Sequence, residues 1–196
     1  VSLFVNALGI AFITKAALGT SPITSVTYVL SMFTPFTIGQ WTIMLNLLFV
    51  VIEPFLMSCQ DLKSDLRMYL LQIPISFCFG MFIDLCMHYI LFWLNPLSYL
   101  NMIVALLIGC VILAVGIALE VKADAAMMAG EYFVKVITRR FRGEFGYIKL
   151  GFDIVLVALA CLLSLIFMSG IYGVREGTVV AALIVGPIVH FVTPYY

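Results

Sequence analysis

Residues Gly9 to Asn46 read GIAFITKAALGTSPITSVTYVLSMFTPFTIGQWTIMLN, and a related stretch begins 107 positions later, at Gly116. At this offset glycine, basic and polar positions coincide: Gly9 with Gly116, Lys15 with Lys122, Gly39 with Gly146, and Asn46 with Asp153. An offset of 106 then aligns Gly80 with Gly186 and Asp84 with His190. Internal repeats in membrane proteins are typical of transporters that bind substrate between the halves. We therefore predict two repeats, 1–95 and 96–196, within one membrane domain.

The composition predicts that lipid is the solvent of this chain. Hydrophobic residues make up 64% of it, charged residues 10%, and the mean hydropathy is +1.20. A soluble domain carries about 25% charged residues, so this chain has too few to cover its surface. The formal net charge is zero, which argues against a nucleic-acid partner, because such a partner requires a basic face. The expected partners are the bilayer and a small-molecule or ion substrate.

Six apolar segments approach the length of about 20 residues that crosses a bilayer: 1–18, expected to be truncated, then 38–58, 66–92, 99–121, 146–168 and 176–194. Two shorter segments, 20–35 and 123–138, occupy equivalent places in the two halves. We expect each to form a re-entrant or interfacial helix. The predicted fold is an all-α polytopic membrane protein, with six transmembrane helices arranged as two inverted three-helix repeats.

The basic residues support this topology. Six of the ten lysines and arginines lie between Lys122 and Lys149, and Lys63 and Arg67 lie between the second and third spans. If the short segments do not cross, both basic regions lie on one side, as the positive-inside rule requires. This arrangement predicts that both chain ends are cytoplasmic.

The segment Gly19-Thr20-Ser21-Pro22 is a helix-start signal, because Thr or Ser can cap a helix and Pro fits its first position. Within a membrane, the free N–H groups of such a start can receive an anion. The alternative is a capped helix in an outer loop that binds nothing. We take Thr20 and Ser21 as candidate substrate-binding residues.

Polar residues at membrane depth are costly and often functional. Asp153 lies about two turns into the fifth span, and its repeat partner Asn46 lies at the same depth of the second. With Asp84, they complete the predicted substrate site. A structural alternative is that Asn46 and Asp153 only tie helices together, or that Asp153 pairs with Lys15 or Lys122. The candidate coupling or charge-pair residues are Lys15, Glu120, Lys122 and Asp124, whereas Glu53, near a helix end, is explained by snorkelling.

Neither a metal, a cofactor nor an enzymatic reaction is predicted. The five cysteines form no CxxC pair and are typical of small core residues. The two histidines, His88 and His190, are too few for a histidine metal cluster. No HExxH, GxSxG or P-loop pattern occurs.

Four short motifs carry a family resemblance: Ala-Leu-Gly-Thr-Ser-Pro at 17–22, Ile-Gly-Gln-Trp-Thr-Ile-Met-Leu-Asn at 38–46, Gly-Met-Phe-Ile-Asp at 80–84 and Glu-Gly-Thr-Val-Val at 176–180. With them the chain resembles the YczE/YyaS/YitT family of bacterial integral membrane proteins over nearly its whole length. The resemblance implies a multi-pass protein of the bacterial plasma membrane. Its substrates are largely undefined, so it implies location more than activity.

Three functions fit these features. The first is a small secondary transporter or exporter of an anionic or zwitterionic solute bound between the repeats, with an acidic residue taking the coupling ion. The second is a substrate-capture subunit that resembles the S components of energy-coupling-factor importers and docks a partner subunit through small-residue pairs such as Ala7 and Ala11. Such a pair would also allow a homodimer. The third is a non-transporting membrane sensor, for which Asp153 has no role.

Overall fold

A computed structural model describes residues 1–57, 65–94, 96, 98–123, 127–141, 143–168, 170 and 173–192, and these residues form helices and their connections without any strand. The helices are α1 (Ser2–Lys15), α2 (Pro22–Phe33), α3 (Ile38–Leu56), α4 (Leu66–Leu85), α5 (Tyr99–Ala123), α6 (Ala129–Phe141), α7 (Phe145–Met168) and α8 (Glu176–Val192). A π-helical turn, Cys86–Ile90, extends α4. Four segments are long and apolar enough to cross a membrane: Ile38–Leu56, Leu66–Ile90, Tyr99–Glu120 and Gly146–Met168.

The two short helices occur where the sequence predicts them. α2 has 12 residues and α6 has 13, so at 1.5 Å per residue they extend roughly 18–20 Å. The hydrocarbon core is about 30 Å thick, and neither helix is long enough to cross it. Pro22 stands at the first position of α2, and Thr34 ends the helix in an extended conformation. α6 is amphipathic and buries Tyr132, Phe133 and Val134.

α1 and α5 form the centre of the core and run antiparallel in close contact. A Cβ atom at Gly9 would lie 2.6 Å from the Leu113 nitrogen, and one at Gly116 would lie 2.8 Å from the Asn6 nitrogen. Only glycine allows the two backbones to approach so closely. Asn6 Nδ2 also donates a hydrogen bond of 2.8 Å to Glu120 Oε2. The interface therefore combines close backbone packing with a buried polar tie.

Several of the other helix contacts around this pair match, although α3 packs closely on α4 and α7 has no comparable contact with α8 among the described residues. α1 contacts α4, and α5 contacts α8; α2 contacts α7, and α6 contacts α3. Each short helix also contacts the long helix that follows it, α2 with α3 and α6 with α7. Consequently α2, α3, α6 and α7 surround a common space. The outer surface is apolar, as lipid requires, with exposed side chains on α7 at Leu150, Ile154, Val155, Leu162 and Ile166.

Candidate functional site

A cavity of about 450 Å³ lies among the two short helices and their long partners. Small-molecule sites typically measure roughly 300–1,000 Å³ and combine an apolar wall with a few polar groups. This cavity has that character, since Ile10, Phe79 and Ile117 contribute to its apolar wall. Its polar lining residues are Ser21, Thr24, Thr42, Asn46, Glu131, Lys149 and Asp153.

Most of the lining residues form pairs, and the two members of each pair are separated by nearly the same number of positions in the sequence. Six pairs lie 107 positions apart, and a seventh pair lies 106 apart: Ile10 with Ile117, Ser21 with Met128, Ile23 with Gly130, Thr24 with Glu131, Thr42 with Lys149, Asn46 with Asp153, and Phe79 with Val185. At three of these pairs the first half supplies a neutral polar side chain and the second half a charged one. The cavity is thus lined by residues at a repeated sequence spacing, and its charges lie on the side of the second half.

The charged side of the cavity contains one cation and two carboxyl groups. Lys149 Nζ lies 2.6 Å from Asp153 Oδ1, one helical turn along α7. Glu131 faces the same cavity from α6. Burial raises the pKa of Glu131; the positive charge of Lys149 opposes this shift, and the negative charge of Asp153 adds to it. Asp153 is therefore held as an ion pair, whereas Glu131 is biased toward its neutral form.

Lys149 and Glu131 are the charged cavity residues that the sequence interpretation missed, and Thr24 and Thr42 are the uncharged polar ones. It proposed Lys15 or Lys122 as the partner of Asp153, but the structure pairs Asp153 with Lys149. The spacing of four residues between Lys149 and Asp153 was a signal for this pair, because residues i and i+4 share a helix face. The side chain of Lys122 and the whole of Asp124 lie outside the described residues.

The start of α2 opens onto the cavity, as the helix-start motif indicates. Ser21, Pro22, Ile23 and Thr24 all line it. Ser21 Oγ lies 2.7 Å from Thr24 Oγ1, and no side chain caps the first turn. The positive end of the helix dipole is therefore directed to the cavity, where it favours a negatively charged group. Of the five predicted substrate-binding residues, the structure brings Ser21, Asn46 and Asp153 together here.

Thr20 and Asp84, the other two, lie in separate hydrogen-bonded surroundings. The Thr20 N–H donates to Thr178 Oγ1 at 3.2 Å, and its hydroxyl donates to the Gly173 carbonyl at 3.2 Å. Asp84 accepts hydrogen bonds from Thr37 Oγ1 at 2.6 Å and from the Gly39 N–H at 2.9 Å. Thr20 thus fixes the chain before α2 against the start of α8, and Asp84 fixes the start of α3.

Glu120 and Lys15 are placed apart from the polar lining. Glu120 is buried and accepts from Asn6 Nδ2 and from the Met128 N–H at 2.8 and 2.9 Å. Its carboxylate joins α1, α5 and the segment before α6. Lys15 is half-buried in the last turn of α1.

Glu53 requires a correction. The sequence interpretation assigned it to snorkelling, which keeps a charged group in water. In the structure Glu53 is 0% exposed, and its Oε2 accepts a hydrogen bond from Gln72 Nε2 at 3.1 Å. It points into the protein because its position on α3 faces α4 rather than the surface. Snorkelling is therefore the wrong explanation.

Apolar spanning helices around a largely apolar cavity with a few polar groups define a helical membrane protein with a small-molecule-sized site. Within the described ranges, no group of three or more His, Cys, Asp or Glu side chains could hold a metal ion. The chain belongs to DUF6198, a family of unknown function whose model matches residues 1–194. No curated protein and no solved structure matches it.

Proposed function

We propose that this protein is a small secondary transporter or exporter, and that its solute binds in the cavity among α2, α3, α6 and α7. The observation that carries the proposal is the lining itself, in which six pairs of residues 107 positions apart, and a seventh pair 106 apart, line the same cavity. Transporters built from inverted repeats bind their substrates at the interface between the repeats, near the middle of the membrane.

The two repeats comprise α1–α4 and α5–α8, related by inversion. The α1–α5 contact supports this relation. At the spacing of 107 residues, Gly9 is equivalent to Gly116 and Asn6 is equivalent to Leu113. When both residues of the Gly9–Leu113 contact are replaced by their equivalents, the result is the Gly116–Asn6 contact, which the structure also contains. Such self-correspondence is the mark of a two-fold relation. α1 and α8 have 14 and 17 residues, fewer than the four long spans. Our proposal is that both also cross, because they are more apolar than α6. Each repeat then has three crossings, and an odd number of crossings places the second repeat in the opposite orientation to the first.

The solute is small and anionic or zwitterionic. A carboxylate would lie near Lys149 and the positive end of α2, since both favour negative charge. An ammonium group would lie near Asp153 and Glu131, on the carboxyl-lined side. The neutral amide of Asn46 can both donate and accept, so it can orient either group. This arrangement favours a zwitterion over a purely apolar solute.

The membrane is the bacterial plasma membrane, and both chain ends are cytoplasmic. Support comes from the resemblance to the YczE/YyaS/YitT family and from the clustered basic residues. The two short helices are not long enough to cross the membrane. The chain therefore enters and leaves each of them on the same side, and the basic segments all lie on that side.

Two small residues weigh against the capture-subunit alternative. Ala7 and Ala11, proposed as a docking face for a partner, are 0% exposed and pack within the core of this chain. They mediate internal packing, which removes the sequence feature offered for docking.

Flux through the purified protein tests the proposal. In liposomes, we expect uptake of at least one of three radiolabelled probes, namely alanine, betaine and glutamate. The same probes should raise the unfolding temperature of the detergent-solubilised protein. Binding without flux would favour the capture subunit, and neither binding nor flux of any probe would reject the solute class.

A double-variant experiment tests the site. Lys149→Met and Asp153→Leu each leave an unpaired charge, which destabilises the protein, whereas the double variant removes both charges and should recover stability. If the pair recognises solute, probe binding stays lost in the double variant. If the pair is only structural, binding returns with stability. Glu144→Gln, which removes an exposed carboxylate before α7, is the matched control and should keep full binding.

A further inference from the structure

A second polar cluster lies between α3 and α4, where Glu53 meets Gln72, and Ser76 lies one helical turn beyond Gln72 on α4. Glu53 is 0% exposed, and Gln72 and Ser76 are each 1% exposed. Gln72 and Ser76 are four residues apart, so they share the face of α4 that packs on α3. The only hydrogen bond recorded among these three described side chains joins Gln72 Nε2 to Glu53 Oε2.

Three oxygen atoms of this cluster lack a hydrogen-bond partner: Glu53 Oε1, Gln72 Oε1 and Ser76 Oγ. Buried polar atoms normally have partners, so three exceptions at one place require an explanation. Each of the three can accept a hydrogen bond, and protonation of Glu53 would supply a donor among them.

Among the residues that the structure describes, no cation pairs with Glu53. The ion pairs among the described residues involve Asp65, Asp153 and Glu176 instead. The titratable groups that face Glu53 are phenols, Tyr69 from α4 and Tyr132 from α6. α2, which also contacts α3, carries no acidic or basic residue. A buried carboxyl group without a cation takes its neutral, protonated form.

A short hydrogen-bonded chain near this cluster reaches the surface. The Tyr132 hydroxyl donates to Asp65 Oδ2 at 3.1 Å. Asp65 in turn pairs with Arg139, whose side chain is 44% exposed. No hydrogen bond among the described residues joins Tyr132 to Glu53, so this chain ends short of the carboxyl group.

We propose that Glu53 is a proton-binding site, separate from the solute cavity, with Gln72 and Ser76 as its hydrogen-bond partners. A proton taken from water converts the carboxylate to an acid whose O–H donates to Gln72 Oε1 or Ser76 Oγ, and the reverse step returns that proton to water. The role of this site in coupling rests on the proposed transport function: Glu53 would carry the coupling proton, because Asp153 is already committed to Lys149.

Infrared spectroscopy tests the proton site without any transported solute. The protein reconstituted in lipid should show carboxylic-acid C=O absorption at neutral pH, and Glu53→Gln should remove one component of this band. The matched control Glu144→Gln should keep it. Gln72→Leu retains the acid but removes a partner, so its band should move to higher frequency. This second variant keeps the test valid if Glu53→Gln does not fold.

A wild-type spectrum without the band, or a band that Glu53→Gln leaves unchanged, would overturn the proposal. So would a band that sodium ions remove, because the three oxygens would then bind a cation rather than a proton.

The coupling role has its own measurement, with radiolabelled alanine as the probe. Glu53→Gln should abolish accumulation driven by a pH gradient while keeping exchange of alanine across the liposome membrane. Unchanged pH-driven accumulation would refute coupling through Glu53. Absence of alanine flux in the wild type would remove the coupling role but leave the infrared result to decide the proton site.

Discussion

Replacing Gly116 by alanine should force α1 and α5 apart. The new Cβ atom would lie 2.8 Å from the Asn6 nitrogen and 2.9 Å from its Cγ. Carbon contacts are optimal at roughly 3.5–4.0 Å, so α1 must retreat by about 0.5–1 Å. Overpacking of this kind costs about 1–3 kcal/mol, partly offset by about 1 kcal/mol because alanine favours helix over glycine.

A second helical glycine provides the control. Gly151 lies in α7, and a Cβ atom there meets nothing within 4 Å. Gly151→Ala therefore benefits from the higher helix propensity of alanine without creating a steric clash, and the protein should become slightly more stable. Both variants share the gain in helix propensity, so this term cancels when their unfolding free energies are compared. The remaining difference is the cost of the steric clash at Gly116, about 1–3 kcal/mol.

The measurement is equilibrium unfolding in detergent micelles with increasing SDS, followed by circular dichroism. Gly9→Ala should cost a similar amount, because its Cβ atom would lie 2.6 Å from the Leu113 nitrogen. The Gly9→Ala/Gly116→Ala double variant should lose less than the sum of the two, since one separation of the helices relieves both clashes. Equal stability of Gly116→Ala and Gly151→Ala would refute the close contact, and strict additivity would refute the shared interface.

Two further predictions concern acidic residues outside the cavity. The hydrogen bond from Arg139 is the main reason why the pKa of Asp65 is lowered, so the stability from this pair is present above the ordinary pKa of about 3.9 and is lost as the pH falls below it. Unfolding measured on both sides of that value should show a smaller acid sensitivity for Asp65→Asn than for the wild type, and equal sensitivity would contradict the pairing. Asp84→Asn should cost about 1.5–3 kcal/mol of stability by weakening the bonds from Thr37 and Gly39. It should leave the affinity for transported probes unchanged; a specific loss of affinity would return Asp84 to the solute site.

The sequence predicted most of the helices because bilayer thickness sets the required length of an apolar run. The predicted span 38–58 corresponds to Ile38–Leu56, and the predicted span 146–168 corresponds to Phe145–Met168. The start of α2 followed from Ser21 and Pro22, since capping chemistry is local. These features depend on neighbouring residues only, which is why a single sequence can predict them.

Side-chain partners were harder to predict, because depth in a membrane does not determine which way a residue faces. Asp84 and Asp153 both lie in apolar helices, yet one fixes the start of α3 and the other lines the cavity. Thr20 and Ser21 are adjacent, but only Ser21 lines the cavity. Glu53 looked like a helix-end residue until its face on α3 was known. The repeat spacing was the useful long-range signal, since it relates positions that meet in space.

The proposed inverted repeat also limits which contacts can change during transport. In alternating access, one repeat rocks against the other and the two halves exchange conformations. The α2–α7 and α6–α3 contacts correspond to each other, so an exchange can loosen one while it tightens the other at little net cost. The proposed two-fold relation maps the α1–α5 contact onto itself. If this contact broke, no second contact elsewhere could form to compensate for it. It should therefore remain closed in both states and act as the axis of the motion.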